Sequence, residues 1–246
     1  MRAANVAVPQ SQLPLGPANP RRQRGQKQFC LYCGCPADSR EHVPPKALLE
    51  EPWPNNLRTV PACGECNRSW SLDEEYLAIV LAHVGHAPHL TAKVEDGGKF
   101  DRALKSSPSL DDRIIRSLSV ADDGRGQFQP EMERITKVVE KVAFGLHALR
   151  YGRGASRSDF SCIAIAGPGE ELPPPLIPAL WIWPGIRRKP WTKVQQRVFR
   201  FLFAKGWLAG DAPLYCFIDL HDTLVAVVSC PPPVARRKGR LPSAPW

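Results

Sequence analysis

"CLYCGCPADSREHVPPKALLEEPWPNNLRTVPACGECN", residues 30–67, decides how this chain of 246 residues is read. Two C-x-x-C turns bracket it, Cys30-Cys33 and Cys63-Cys66, and Gly34 and Gly64 each follow a cysteine. Each turn brings its two sulfurs to one side, and two turns complete a tetrahedron, so the spacing predicts structural Zn²⁺. The bland alternative is a redox-active set of thiols. Cys35 adds a third sulfur to the first knuckle, but the Cys30/Cys33 spacing is the one repeated in the second. A plain zinc ribbon needs neither so long an insert nor the adjacent acid and histidine, Glu41-His42, that this insert carries.

Working outward, "SLDEEYLAIVLAHV" (71–84) predicts a helix, with Ser71 as cap, acids in the first turn and Gly85 beyond the end. "PEMERITKVVEKVAFGLHALRYG" (130–152) predicts a second, whose apolar face is Ile135, Val138, Val139, Val142, Leu146 and Leu149. "FSCIAIA" (160–166) and "ALWIWP" (179–184) read as strands, and "WTKVQQRVFRFLFAKG" (191–206) as a helix. Residues 213–230 read as a hairpin turning on His221-Asp222, a register that faces Cys216 to Val227 and excludes a disulfide with Cys230. The Trp residues 181, 183, 191 and 207 are expected in the core. His83, His86 and His89 lie in a Gly- and Pro-broken stretch that does not align them on one metal.

The net charge of +9 is unevenly spread: residues 1–29 carry +5, residues 30–90 carry −4, and residues 187–246 carry +8. Basic flanks suit a polyanion, since neutralised phosphates release counterions. No run of 18 apolar residues is present, which excludes a membrane span, and no signal-like stretch opens the chain, so a cytoplasmic protein is expected. The organisation expected is a disordered basic arm (1–28), the cysteine-framed module (29–84), a polar connector (85–129), an α+β domain (130–230) and a disordered basic tail (231–246).

"CLYCG", "EHVPP", "NNL", "VPACGECN" and "DEEYL", in that order, resemble the HNH endonucleases of ββα-metal fold whose frame is clipped by four cysteines. The resemblance covers about residues 29–77. It implies an α+β chain: a zinc-clipped ββα-metal module followed by a mixed α+β domain. It further implies a metal-dependent endonuclease hydrolysing phosphodiester bonds in nucleic acid, DNA first. In the family the position of His42 is the general base that deprotonates water, a task suited to an imidazole. The positions of Glu41 and Asn67 hold a catalytic Mg²⁺ or Mn²⁺, and that of Asn56 pins the loop and orients the base. Adjacent strand residues point oppositely, so a bulge or twist at Glu41-His42 is expected if both serve one site.

Two positions depart from the family pattern, with Trp70 and Ser71 where a lysine and a further ligand are common. Arg68 then becomes the nearest phosphate contact. Lys193, Arg197 and Arg200 would form a phosphate-contacting stripe on the 191–206 helix, or simply a solvated face. The alternative function is a zinc-stabilised nucleic-acid-binding or adaptor protein without catalysis.

Overall fold

The computed structural model describes residues 28–84, 98, 101–102, 105, 108–120, 126–167, 190–205 and 214–232. It is an α+β chain, with a four-cysteine cluster near its N-terminal end followed by a sheet domain. Residues 1–27 and 233–246 of the terminal arms and the 179–184 strand lie outside the described residues, as do His86 and His89.

The cysteine-framed part is built on an antiparallel hairpin of β1 (Ser39–Val43) and β2 (Arg58–Ala62), followed by α1 (Gly64–Ser69) and α2 (Ser71–Val84). Ser39 pairs with Ala62 and Val43 with Arg58 without a shift of register. Alternation along a strand therefore turns Glu41 and Val43 to one side and Arg40 and His42 to the other. Both side chains of the inner pair are buried. The stretch expected to be a polar connector contains helix α3 (Pro108–Arg116) and a short hairpin of β3 (Leu118–Val120) and β4 (Gly126–Phe128).

Helix α4 (Met132–Tyr151) is the central strut. Its backbone N–H at Gly152 closes on the Ala148 carbonyl, and Gly152 takes φ 91°, a turn that favours glycine. Along its middle nearly every side chain from Val138 to His147 is buried, because α2 packs on one flank and the sheet on the other. Gly145 is where α4 meets β1: a Cβ there would stand 2.8 Å from Val43 Cγ2.

The sheet is five-stranded and antiparallel, in the order β5-β9-β8-β7-β6, from β5 (Ser161–Ala166), β6 (Thr192–Gln195), β7 (Phe199–Lys205), β8 (Leu214–Leu220) and β9 (Leu224–Cys230). The expected helix over 191–206 is thus a hairpin, β6 paired with β7. Both faces of β7 are covered: Phe199, Phe201 and Phe203 join the main core, and Leu202 and Ala204 join a second cluster on the opposite face. A strand buried on both sides gives a continuous apolar run that a helix also gives, and no glycine marks the turn, where Arg197 itself adopts φ 62°. The β8–β9 loop has three residues, with Leu220 opposite Leu224, so Cys216 faces Val228 and not Val227; Cys230 faces Leu214. All eight cysteines are free thiols.

One apolar core joins the two halves. It runs from Val43, Val60, Leu48 and Leu49 through α2 and α4 to Phe199, Ile218 and Val228. Polar ties reinforce it at the loop that leaves β1. Gln195 of β6 exchanges hydrogen bonds with both the N–H and the carbonyl of Glu50, and the His221 ring meets the Leu48 carbonyl at 3.1 Å.

Candidate functional site: the cysteine cluster and the two faces of β1

The first knuckle closes through the Gly34 N–H donating to the Cys30 carbonyl (3.1 Å) and the Cys30 N–H donating to that of Cys35 (2.7 Å). Gly34 sits at φ 78°, so glycine is required by the backbone. In the second knuckle Cys63 caps α1, accepting from the Cys66 N–H at 3.4 Å, while the Asn67 N–H closes on the Cys63 carbonyl. The Asp38 carboxylate accepts from the Gly64 N–H at 2.7 Å, and the Leu31 N–H donates to the Pro61 carbonyl. These bonds bring the two knuckles together. The sulfurs of Cys30, Cys33, Cys63 and Cys66 all lie within 4.8 Å of one another, a cluster that can hold a metal ion. Cys35 is exposed and outside it. Burial pushes the Cys30 thiol up, but N–H donors of Cys63, Cys33 and Tyr32 outweigh it and bring the thiol down to about 7. Cys66 is pushed up by burial and by hydrogen bonds with the other sulfurs.

The inner face of β1 presents Glu41, which is 5 % exposed. Its carboxylate lies 3.0 Å from Lys141 Nζ, and that ammonium, 1 % exposed, also donates to Glu74 of α2. The ammonium lies 4.9 Å from the Trp70 ring centroid and 5.8 Å from that of Tyr32, and those rings meet edge-on at 4.6 Å. Burial raises the pKa of Glu41 and of Glu74, and Lys141 opposes both shifts. A buried lysine thus already serves as the cation between the two carboxylates. The bulge expected at Glu41-His42 is absent, so the two side chains part to opposite faces.

The outer face presents His42, half-buried and opposite Thr59. Burial first, then the charges of Lys46 and Arg40, hold its imidazole below its ordinary pKa, so the ring is neutral at pH 7 with a free lone pair. The Arg40 Nε donates to Thr59 Oγ1 at 2.7 Å. Lys46, on the turn after β1, stands 3.9 Å from the Trp53 ring centroid. Trp53 is exposed.

Other expected site residues scatter. Asn67 is half-buried on α1, and among the described residues its amide makes no hydrogen bond. Asn56 is exposed before β2 and makes no hydrogen bond to His42, so His42 is not oriented from there. Arg68 is exposed on α1, its guanidinium 3.1 Å from the Cβ position that Gly64 leaves empty. The stripe of Lys193, Arg197 and Arg200 is corrected: there is no helix to align it. Lys193 and Arg200 are cross-strand partners, Arg200 is bound by Asp219 and Asp222, and Arg197 sits in the turn against Asp222.

Sequence reasoning missed Lys141, Glu74, Arg40, Lys46 and Trp53. The one available signal was Lys141 itself, a lone cation within the apolar stripe of α4. No protein-family model, curated protein or solved structure matches the chain.

Proposed function

We propose that this chain is an HNH-type endonuclease hydrolysing phosphodiester bonds of nucleic acid, DNA first. The observation that carries it is His42: a neutral imidazole on the outer face of a hairpin, next to two cations, on a frame of four clustered thiols. A phosphate bound against Arg40 and Lys46 would have its charge offset there. His42 takes the proton of an attacking water, the water oxygen bonds to phosphorus, and the bond to the 3′ oxygen breaks. That oxygen then takes a proton from solvent.

Zn²⁺ fits the cysteine frame. Tetrahedral Zn–S bonds of about 2.3 Å imply S···S edges of about 3.8 Å, against 3.6 Å between Cys33 and Cys63. Its part would be structural, holding the Cys30–Cys33 turn against the Cys63–Cys66 turn at the start of α1. Mg²⁺ or Mn²⁺ on Glu41 and Asn67 does not fit this arrangement, because Lys141 occupies the cation position beside Glu41, whose side chain is almost wholly buried. No step is therefore assigned to a divalent ion on Glu41.

That same ion pair favours a second reading, a zinc-framed nucleic-acid-binding protein without hydrolytic activity. Conversion of supercoiled plasmid to nicked circles separates the two. The nuclease reading expects nicking by the zinc-loaded chain and its loss in His42→Ala. Plasmid binding without nicking, with Mg²⁺, Mn²⁺ or Ni²⁺ supplied in turn, would leave the binding reading.

A further inference from the structure

The turn and loop that follow β1 carry an arrangement which the hydrolytic reading leaves unused. Lys46 stands over the ring of Trp53 at 3.9 Å, and Trp53 is 39 % exposed, in a stretch (50–56) otherwise made of prolines and polar residues. Among the described residues no carboxylate pairs with Lys46. An indole beneath a cation is electron-rich and rigid, and leaving it in water costs the burial of a large aromatic surface. Lys46 follows the end of β1 by three residues, and its charge is one of the two that act on His42 of that strand. The loop is not a loose one: Leu48 and Leu49 are buried, and Gln195 and His221 hold the Glu50 backbone and the Leu48 carbonyl.

We propose that Trp53 and Lys46 form a stacking platform that holds an unpaired base of a single-stranded nucleic acid beside His42, with Lys46 and Arg40 on the flanking phosphates. The proposal rests on the reading of His42 as the reacting centre and adds its substrate class. An indole can stack on any base, but only on one that is out of a duplex, whereas lysine and arginine bind the backbone of either form. The platform therefore makes discrimination between strands a property of Trp53 and total affinity a property of Lys46 and Arg40.

The test uses the full chain, zinc-loaded, with His42→Ala as the non-cutting parent. Fluorescence anisotropy reads its binding to a labelled oligothymidylate of about twenty nucleotides and to a duplex of the same length. Trp53→Leu is expected to weaken oligothymidylate binding roughly tenfold and duplex binding less than about twofold, from the worth of one stacked base. Lys46→Met is expected to weaken both. A Trp53→Leu chain that binds oligothymidylate as tightly as the parent overturns the platform, and so does an equal loss for both ligands. A parent that binds no oligothymidylate overturns it as well. Irradiation of the unmutated chain with an oligonucleotide carrying 5-iodouracil gives an answer independent of any variant's folding. A crosslink on the peptide containing Trp53 supports the platform, and crosslinks only elsewhere overturn it. Plasmid nicking by the unmutated chain keeps the failures apart: if nicking persists while Trp53 is silent, the platform alone has failed, and if neither nicking nor binding occurs, the nuclease reading has failed too.

Discussion

At the scale of single residues, Lys141 determines what Glu41 can do. A buried ammonium flanked by two buried carboxylates is held by its partners, and removing it leaves both acids in an apolar setting without compensation. Lys141→Met is expected to lower stability by about 3–5 kcal/mol in urea unfolding. A loss below about 1 kcal/mol would mean that Lys141 does not hold Glu41 in solution, and a divalent ion on Glu41 would again be allowed. The chemistry was partly legible in the sequence. Four cysteines at two repeated spacings declare themselves, because the knuckle is a local structure. Lys141 did not declare its partners, because Glu41 and Glu74 meet it only through tertiary packing across α2, α4 and β1. Glu74 read naturally as a charge at a helix N-terminus, and in the structure it serves a helix far along the chain.

At the scale of elements, the contact between α4 and β1 fixes the hairpin that carries His42. Gly145 faces Val43 so closely that a methyl group would stand 2.8 Å from Cγ2 and 3.0 Å from Cγ1. Gly145→Ala is therefore expected to cost about 1–3 kcal/mol by overpacking, although alanine is the better helix former. Unchanged or raised stability in urea would show that α4 does not lie against β1 as described. The same scale explains the misread segment. In β7 the alternation of Phe199, Phe201 and Phe203 against Leu202 and Ala204 is a genuine period of two, hidden because both faces are apolar. The α2 and α4 helices were legible, having long apolar patterns with clear ends. Helix α3 was legible only as a short helical piece in a polar stretch, and the three-residue strands β3 and β4 were too short to show a period.

At the scale of the whole molecule, the cysteine-framed hairpin is not an independent bead. Val43, Val60 and the buried face of α2 share a core with α4 and with the main face of the sheet. Stripping metal with a strong chelator should therefore lower the melting temperature of the entire chain in one transition, seen by circular dichroism and by tryptophan fluorescence together. Two separate transitions, with the sheet half melting at its original temperature, would contradict a shared core. Among the described residues no helix is long and apolar enough to cross a membrane. Whether His42 works as a base decides between a nuclease and a binding protein. Time courses of supercoiled plasmid with the zinc-loaded chain and with His42→Ala, each without added metal and with Mg²⁺ or Mn²⁺, measure it directly. The predicted result is nicking that falls by about 10²–10⁴-fold in the variant, with plasmid binding and melting temperature kept. Equal nicking by both proteins, or tight binding with no nicking by either, would contradict it.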